Sequence, residues 1–217
     1  MKKTRQIKGT LHASSDPSEA PTYYECPDCG FLSADARFGS GEIPCPHCSA
    51  TDGVRRVFPP DRIRRLDSRI RHYHKLGESE IVVILAETFL EATLEDIIDR
   101  ILVARGADVK VREIVLDGQR AIGGRIGRLF PHLTGEEFEE AAAEMGFREF
   151  PRRWRQIRQA RNAFIHDSPF KGPQETLDDG MAAEAMDLLD QSYKLFVLMN
   201  NRFVADGARG RRTPTAK

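Results

Sequence analysis

The sequence predicts a mainly α protein, an antiparallel helical bundle preceded by a small β module built on cysteine. Three observations predict it. All four cysteines of the 217-residue chain fall between Cys26 and Cys48, as Cys-Pro-Asp-Cys and Cys-Pro-His-Cys. From Asp61 onward apolar residues recur at helical spacing, with no convincing period-two run. The gaps between these periodic segments are a few residues long, which joins successive helices antiparallel.

An apolar fraction of 40% is enough for a globular core. The N-terminal stretch MKKTRQIKGTLHASSDPSEAPT has no apolar h-region, and no later segment approaches the roughly 20 apolar residues of a membrane span. A cytoplasmic protein without a membrane partner is expected. The 33 basic and 33 acidic residues cancel, so net charge identifies no partner. Their distribution is uneven, however. DRIRRLDSRIRHYHK is strongly basic, and FPRRWRQIRQAR carries Arg152, Arg153, Arg155, Arg158 and Arg161 without an acid. Such runs are either solvated helix faces or a surface for an anionic polymer such as RNA.

The first element in chain order is the cysteine module. Each Cys-x-x-Cys forms a tight knuckle aiming two thiolates at one ion, and Cys26, Cys29, Cys45 and Cys48 together supply the tetrahedron a structural zinc prefers. One zinc per chain is expected. The competing reading is a redox dithiol or a disulfide, against which stand two paired knuckles in a segment too short for a core of its own. The fifteen-residue spacing between the knuckles resembles zinc ribbons, over about Tyr23 to Phe58. Such ribbons bind nucleic acid, bind protein or brace a neighbouring domain. A closed four-cysteine site leaves no open position for catalysis, and His47 is then a spare residue inside a knuckle. The expected organisation is a flexible basic and polar N-terminus over 1–22, the ribbon over 23–58, a bundle over 61–203 and a flexible basic tail over 204–217. Pro59 and Pro60 mark the main boundary.

Helices are expected near 61–76, 79–105, 109–130, 135–145, 150–167 and 177–203. Gly106 follows the second, Thr134-Gly-Glu-Glu137 reads as a capping box, Pro151 lies in the first turn of the fifth and Pro169 follows it. Gly118, Gly123, Gly124 and Gly127 lower helix propensity in the third, so it either approaches another backbone closely or bends.

The fifth helix carries a charge where a core residue belongs. At about 100° per residue its apolar stripe is Phe150, Trp154, Ile157, Phe164 and Ile165, and Arg161 falls inside it. The long second helix has a matching irregularity: Glu87 lies in the stripe of Val83, Leu90, Leu94, Ile97, Ile98 and Ile101, with Glu91 at its edge. A buried guanidinium needs a partner. An Arg161–Glu87 pair would either fix helix register alone or serve a site. Asn162 and His166 are four apart, so an amide there is placed to orient an imidazole. Taken alone, His166 in the last turn is either a cap or a catalyst.

Arg161-Asn162-Ala-Phe-Ile-His166 resembles the Arg-x4-6-His signature of the HEPN superfamily, in the form where a polar residue follows the arginine. It lies at the end of a late helix followed by one more long helix, and the resemblance covers about Ile63 to Phe203. It implies a helical bundle that often dimerises, and for many members a metal-independent endoribonuclease of toxin–antitoxin or phage-defence systems. Other members bind nucleotides or partners without cleaving anything. Carried over residue by residue, Arg161 and His166 are the catalytic residues and Asn162 the polar residue beside them. Glu87, inferred from patterning and not from the family, would orient Arg161. Arg152, Arg153, Arg155 and Arg158 would hold the RNA backbone with little sequence preference. Positions five apart lie about 140° apart around a helix, so a two-fold homodimer would be needed to bring both copies of Arg161 and His166 into one cleft. An antitoxin or regulatory protein is the further partner implied. Some members have a tyrosine two residues after the histidine, a site of nucleotide modification; Ser168 stands there in this chain, so that control is not expected.

Overall fold

The long helix Ser79–Ala104, α3 in chain order, forms the axis of the molecule because its apolar residues are not confined to one stripe. In this computed structural model, which describes residues 20–51, 53, 55–166 and 177–209, the chain is mainly helical with one three-stranded antiparallel sheet. Expectations about residues 1–19, Ser168, Pro169 and the end of the tail lie outside the described residues.

The sheet comprises β1 (Tyr23–Glu25), β2 (Leu32–Ser33) and, after the short helix α1 (Ala36–Ser40), β3 (Arg56–Phe58), in the order β2-β1-β3. Tyr24 pairs with Ser33 on one side and Val57 on the other. Asp35 starts α1 by accepting from the Arg37 N–H at 2.9 Å, an ordinary N-cap.

The bundle begins with α2 (Asp61–Leu76), closed by Gly77 at φ 74°, and α3 (Ser79–Ala104) follows at once. The short link makes these two antiparallel. Val82, Ala86, Phe89 and Thr93 are buried on one side of α3, and Val83, Leu90, Leu94, Ile97 and Ile101 on another. α4 (Val109–Gly118) is capped by Asp108, which accepts from the Val111 N–H. The helix expected over 109–130 then breaks. α5 (Ile122–Gly124) leads through a π-helical turn, Arg125–Leu129, into α6 (Phe130–Thr134). A Cβ on Gly118, Gly123 or Gly127 would meet nothing within 4 Å, so these glycines mark a bend and not a close approach.

α7 (Phe138–Glu144) starts three residues later than the capping-box reading placed it. Glu137 takes the N-cap position, while the Thr134 hydroxyl donates to Phe130 O and accepts from the Glu136 N–H, which closes α6. α8 (Phe150–His166) and α9 (Asp179–Asn200) complete the bundle, and a second π-helical turn, Asn201–Ala205, leads into α10 (Asp206–Arg209). The chain thus continues helical past Phe203, with Val204 and Ala205 buried, where a flexible tail was expected.

Not every neighbour is antiparallel. Ser79 Oγ donates to Asp179 at 2.5 Å, which joins the starts of α3 and α9. Both helices end at the cysteine module, so this central pair runs parallel. Short links dictate direction only between consecutive helices, and five helices separate these two. The basic run on α2 is also not all solvated. Arg71 and Asp67 are buried and paired at 3.0 Å, and Arg71 reaches Asp190 of α9 at 2.6 Å.

The sheet shares the bundle's core. Tyr23, Leu32 and Phe58 belong to the same apolar cluster as α3 and α9. Asn201 pairs with the outer edge of β2 as another strand would: its Oδ1 accepts from the Leu32 N–H at 2.7 Å and its Nδ2 donates to Leu32 O at 2.9 Å. Asn200 donates to Gly30 O at 2.7 Å. Edge strands leave such groups unpaired, and here Asn201, the first residue of the π-helical turn, supplies the amide. Asn201→Leu strands both Leu32 groups and is expected to lower stability by about 2 kcal/mol, or roughly 4–8 °C in melting temperature for a chain of this size, measured by urea and thermal unfolding.

Candidate functional site

Two sites emerge, one on each side of the sheet–bundle junction. In the module, the four cysteine ligand atoms all lie within 4.8 Å of one another. Cys26 and Cys48 Sγ are 3.7 Å apart and Cys29 and Cys45 Sγ 3.8 Å. A disulfide needs about 2.05 Å, whereas sulfurs at the corners of a tetrahedron with 2.3 Å metal–sulfur bonds lie about 3.8 Å apart. The two knuckles are built alike. Gly30 N–H donates to Cys26 O at 2.9 Å and Ser49 N–H to Cys45 O at 2.8 Å, with φ of 73° and 62°. Burial pushes the Cys29 and Cys45 thiols up, and neighbouring cysteines push the same way. Four thiolates this close need a cation among them. The arrangement therefore fits a metal ion with a closed sulfur set.

Two residues that the sequence did not mark complete this site. Arg55 is buried, donates to Cys26 Sγ at 3.5 Å and lies over the Phe38 ring at 4.5 Å. His47 is no spare residue: it is buried, stacks on Phe31 and pairs through Nε2 with Asp206 of α10 at 2.9 Å. No local spacing signals either contact, since the partners are distant in the chain.

The second site lies where the end of α8 crosses the start of α3. Glu87 is fully buried, and neither carboxylate oxygen has a hydrogen-bond partner among the described residues. Arg161 Nε stands 4.0 Å from Glu87 Oε2, at the outer limit of an ion pair, while the rest of the guanidinium reaches solvent. Loss of hydration, reinforced by Glu91, pushes the Glu87 carboxyl up to about 7 against the pull of Arg161 and Arg158. Structure thus brings together the two charges misplaced on their helices.

Asn162 takes a different partner from the one expected. Its Oδ1 accepts from Arg161 Nη1 at 2.9 Å, so the amide holds the guanidinium and not the imidazole. His166, at the end of α8, is exposed and has no hydrogen-bond partner among the described residues. Ile165 is 44% exposed where a core position was expected, and Phe164 is only partly buried.

The four flanking arginines divide. Arg153 bridges Glu184 and Asp187 of α9, so it clamps two helices and offers little to an outside anion. Arg152 pairs with Glu149 and Arg155 with Glu139, both at exposed positions where ion pairs are weak. Arg158 has neither a hydrogen bond nor an ion pair among the described residues. At 3.6 residues per turn Arg155, Arg158, Asn162 and His166 fall within about 80° of one another on α8, and Arg161 lies beside them toward α3.

Family models, curated proteins and solved structures were compared with the chain, and none matches. No helix among the described residues is long and apolar enough to cross a membrane.

Two predictions follow from these sites. The purified protein is expected to carry about one thiophilic divalent ion per chain, and cobalt exchange should give the absorption of a tetrahedral four-sulfur site; folded protein free of metal contradicts the cluster's role. Glu87 generates a pH dependence. Its folded pKa, about 7, lies above the unfolded value of roughly 4.3, so the folded state holds the proton more tightly. Its contribution is complete below the unfolded value and is lost as pH rises through 7. Urea unfolding is expected to show stability falling from pH 5 to 7.5, by up to about 3 kcal/mol, with the slope flattened in Glu87→Gln.

Proposed function

We propose that this chain is an endoribonuclease of the HEPN type, acting as a homodimer, with a zinc ribbon bracing its helical domain. The observation that carries the reading is the cluster at the end of α8. Arg161 is drawn out of an apolar stripe between the buried Glu87 and Asn162, with His166 exposed at the same helix end.

RNA presents what these groups can handle. The ribose 2′-hydroxyl attacks the adjacent phosphorus; the O2′–P bond forms and the P–O5′ bond breaks, leaving a 2′,3′-cyclic phosphate and a 5′-hydroxyl. Arg161 stabilises charge on the non-bridging oxygens, where a planar fork suits better than an ammonium. His166 moves the proton, either taking it from the 2′-hydroxyl or supplying it to the 5′-oxygen, as an imidazole does well near neutral pH. Glu87 acts behind Arg161, as a positioning residue. Arg155 and Arg158, on the stripe that leads to His166, hold the strand by its phosphates. The two-fold partner supplies the second Arg161 and His166, which one helix cannot aim at one point.

In the other module Cys26, Cys29, Cys45 and Cys48 hold Zn²⁺, whose part is to stabilise the fold. The resemblance to HEPN toxins and phage-defence effectors sets the protein in that context, with an antitoxin or regulatory protein as its controlling partner. A second reading, an RNA- or protein-binding module without catalysis, is favoured by one observation: among the described residues no group of its own chain orients His166.

Cleavage decides between them. Chelator-treated wild-type protein is expected to cut RNA to 2′,3′-cyclic phosphate ends. Arg161→Ala and His166→Ala, shown folded by circular dichroism, are each expected to lose at least about 10²-fold in rate. RNA binding retained with no cleavage in any of the three establishes the second reading.

A further inference from the structure

A cavity of about 300 Å³ opens on the side of α8 that faces the bent segment between α4 and α7. It lies at the lower end of the range for small-ligand sites. Its walls differ in chemistry. One wall is the apolar side chain of Ile126 and the bare backbone of Gly123 and Gly127, where a Cβ would meet no other atom within 4 Å. The opposite wall carries Arg155 and Arg158. Arg158 has no ion pair among the described residues, and the partner of Arg155, Glu139, is itself exposed in the wall, so a phosphate can compete for that guanidinium. At the rim stands Glu137, an exposed carboxylate with no ion pair or hydrogen bond among the described residues. Trp154 closes the cavity from behind; it is 2% exposed, and its indole N–H has no hydrogen-bond partner among the described residues.

Flat apolar backbone, two cations and one free carboxylate within a single small cavity match the parts of one nucleotide. We propose that this cavity is a nucleotide subsite of the RNA strand. The phosphate sits on Arg155 and Arg158, the base lies against Ile126 and the glycine backbone, and Glu137 accepts from N–H donors on the base's pairing edge. A carboxylate offers two parallel acceptors. Guanine, with adjacent N1–H and N2–H donors, meets both, whereas uracil offers a single N–H. The subsite therefore selects guanine over uracil. Position ties it to the α8 stripe: at 1.5 Å per residue Arg158 and His166 are about 12 Å apart along the helix, the reach of a few stacked nucleotides. The guanine is recognised a few residues from the cut and not at it. This inference rests on the endoribonuclease reading for its substrate, but its test does not depend on cleavage.

Trp154 is the only tryptophan in the chain, so it reports on the cavity by emission and by a single indole N–H resonance. Full-length protein is titrated with 5′-GMP, 5′-UMP and inorganic phosphate. GMP is expected to shift both signals saturably, with UMP and phosphate at least about tenfold weaker. Gly127→Leu, whose Cβ would meet no other atom within 4 Å, projects into the cavity and is expected to weaken GMP at least about tenfold, with circular dichroism and melting unchanged. Glu137→Gln is expected to erase the preference over UMP. A flat GMP titration, an equal response to phosphate, or undiminished GMP binding in Gly127→Leu overturns the subsite. RNA cleavage assayed beside it separates the two readings. GMP bound by a wild-type protein that cuts no RNA keeps the subsite and removes the nuclease; RNA cut by Gly127→Leu with unchanged KM keeps the nuclease and removes the subsite.

Discussion

The burial of α3 on several sides is the constraint from which the arrangement of this molecule follows. Where α3 is covered by α2, α8 and α9, a polar side chain on it must be answered by a neighbour, because water cannot reach it. Thr93 is answered by its own backbone, donating to Phe89 O at 2.8 Å. Glu95 is answered by Arg125 at 2.7 Å, which the π-helical turn after α5 delivers. Glu87 is answered only in part. Among the described residues its oxygens lack hydrogen-bond partners, and the Arg161 guanidinium stands at 4.0 Å. The deficit explains the sequence of α8: an arginine interrupts its apolar stripe because that stripe must pass a buried carboxylate. It also explains why this carboxyl takes up its proton so readily. A register device made only for stability would be better satisfied than this, since an incompletely paired buried charge costs more than apolar residues of the same shape.

The parallel course of α3 and α9 has its own consequence. It brings both C-terminal ends to the same side, where Arg100 pairs with Glu25 at 3.1 Å and lies over Phe58, while Asn200 and Asn201 hold Gly30 and Leu32. Away from this junction the cysteine module has only a small apolar cluster of its own, around Phe38 and the cysteines. Its order therefore rests on the bundle beneath it and on a cysteine set that fits a metal ion. His47 joins the two supports, since it sits between two ligating cysteines and reaches Asp206. A metal held by these cysteines and the packing of the last helix would accordingly be parts of one cooperative structure, outside the cluster on α8.

Patterns that depend on one helix or one loop were legible in the sequence. The bounds of α2 and α3 follow from periodicity, with Gly106 after the second, the cysteine set from its spacing, and the meeting of Glu87 with Arg161 from two stripes that each carried an intruding charge. What the sequence did not disclose depends on distances between elements. A helical wheel gives the angle of Asn162 but not whether Arg161 or His166 is nearer. It places Ile165 on the apolar stripe but not where the neighbouring helices stop, which leaves that residue exposed. Arg153 looked like its basic neighbours until α9 set Glu184 and Asp187 beside it. The amides of Asn200 and Asn201 carried no local signal, since their partners lie 170 and 169 residues away.

α8 has three faces, and each does separate work. Phe150, Trp154 and Ile157 enter the core. Arg161 turns to α3. The third face, from Arg155 through Arg158 and Asn162 to His166, meets solvent and carries three groups able to bind or transfer a proton to a phosphate. On the endoribonuclease reading we propose, a strand laid along that face meets cations before it meets the imidazole, so the helix would order contact along the RNA: hold first, react last. Among the described residues, no group holds His166 in one orientation. On the same proposed reading a second copy covers the exposed Ile165 beside it, and a two-fold axis there would set each His166 against the other chain's Arg161. On the proposed reading the incomplete histidine and the uncovered isoleucine have one cause: the monomer is half of the site.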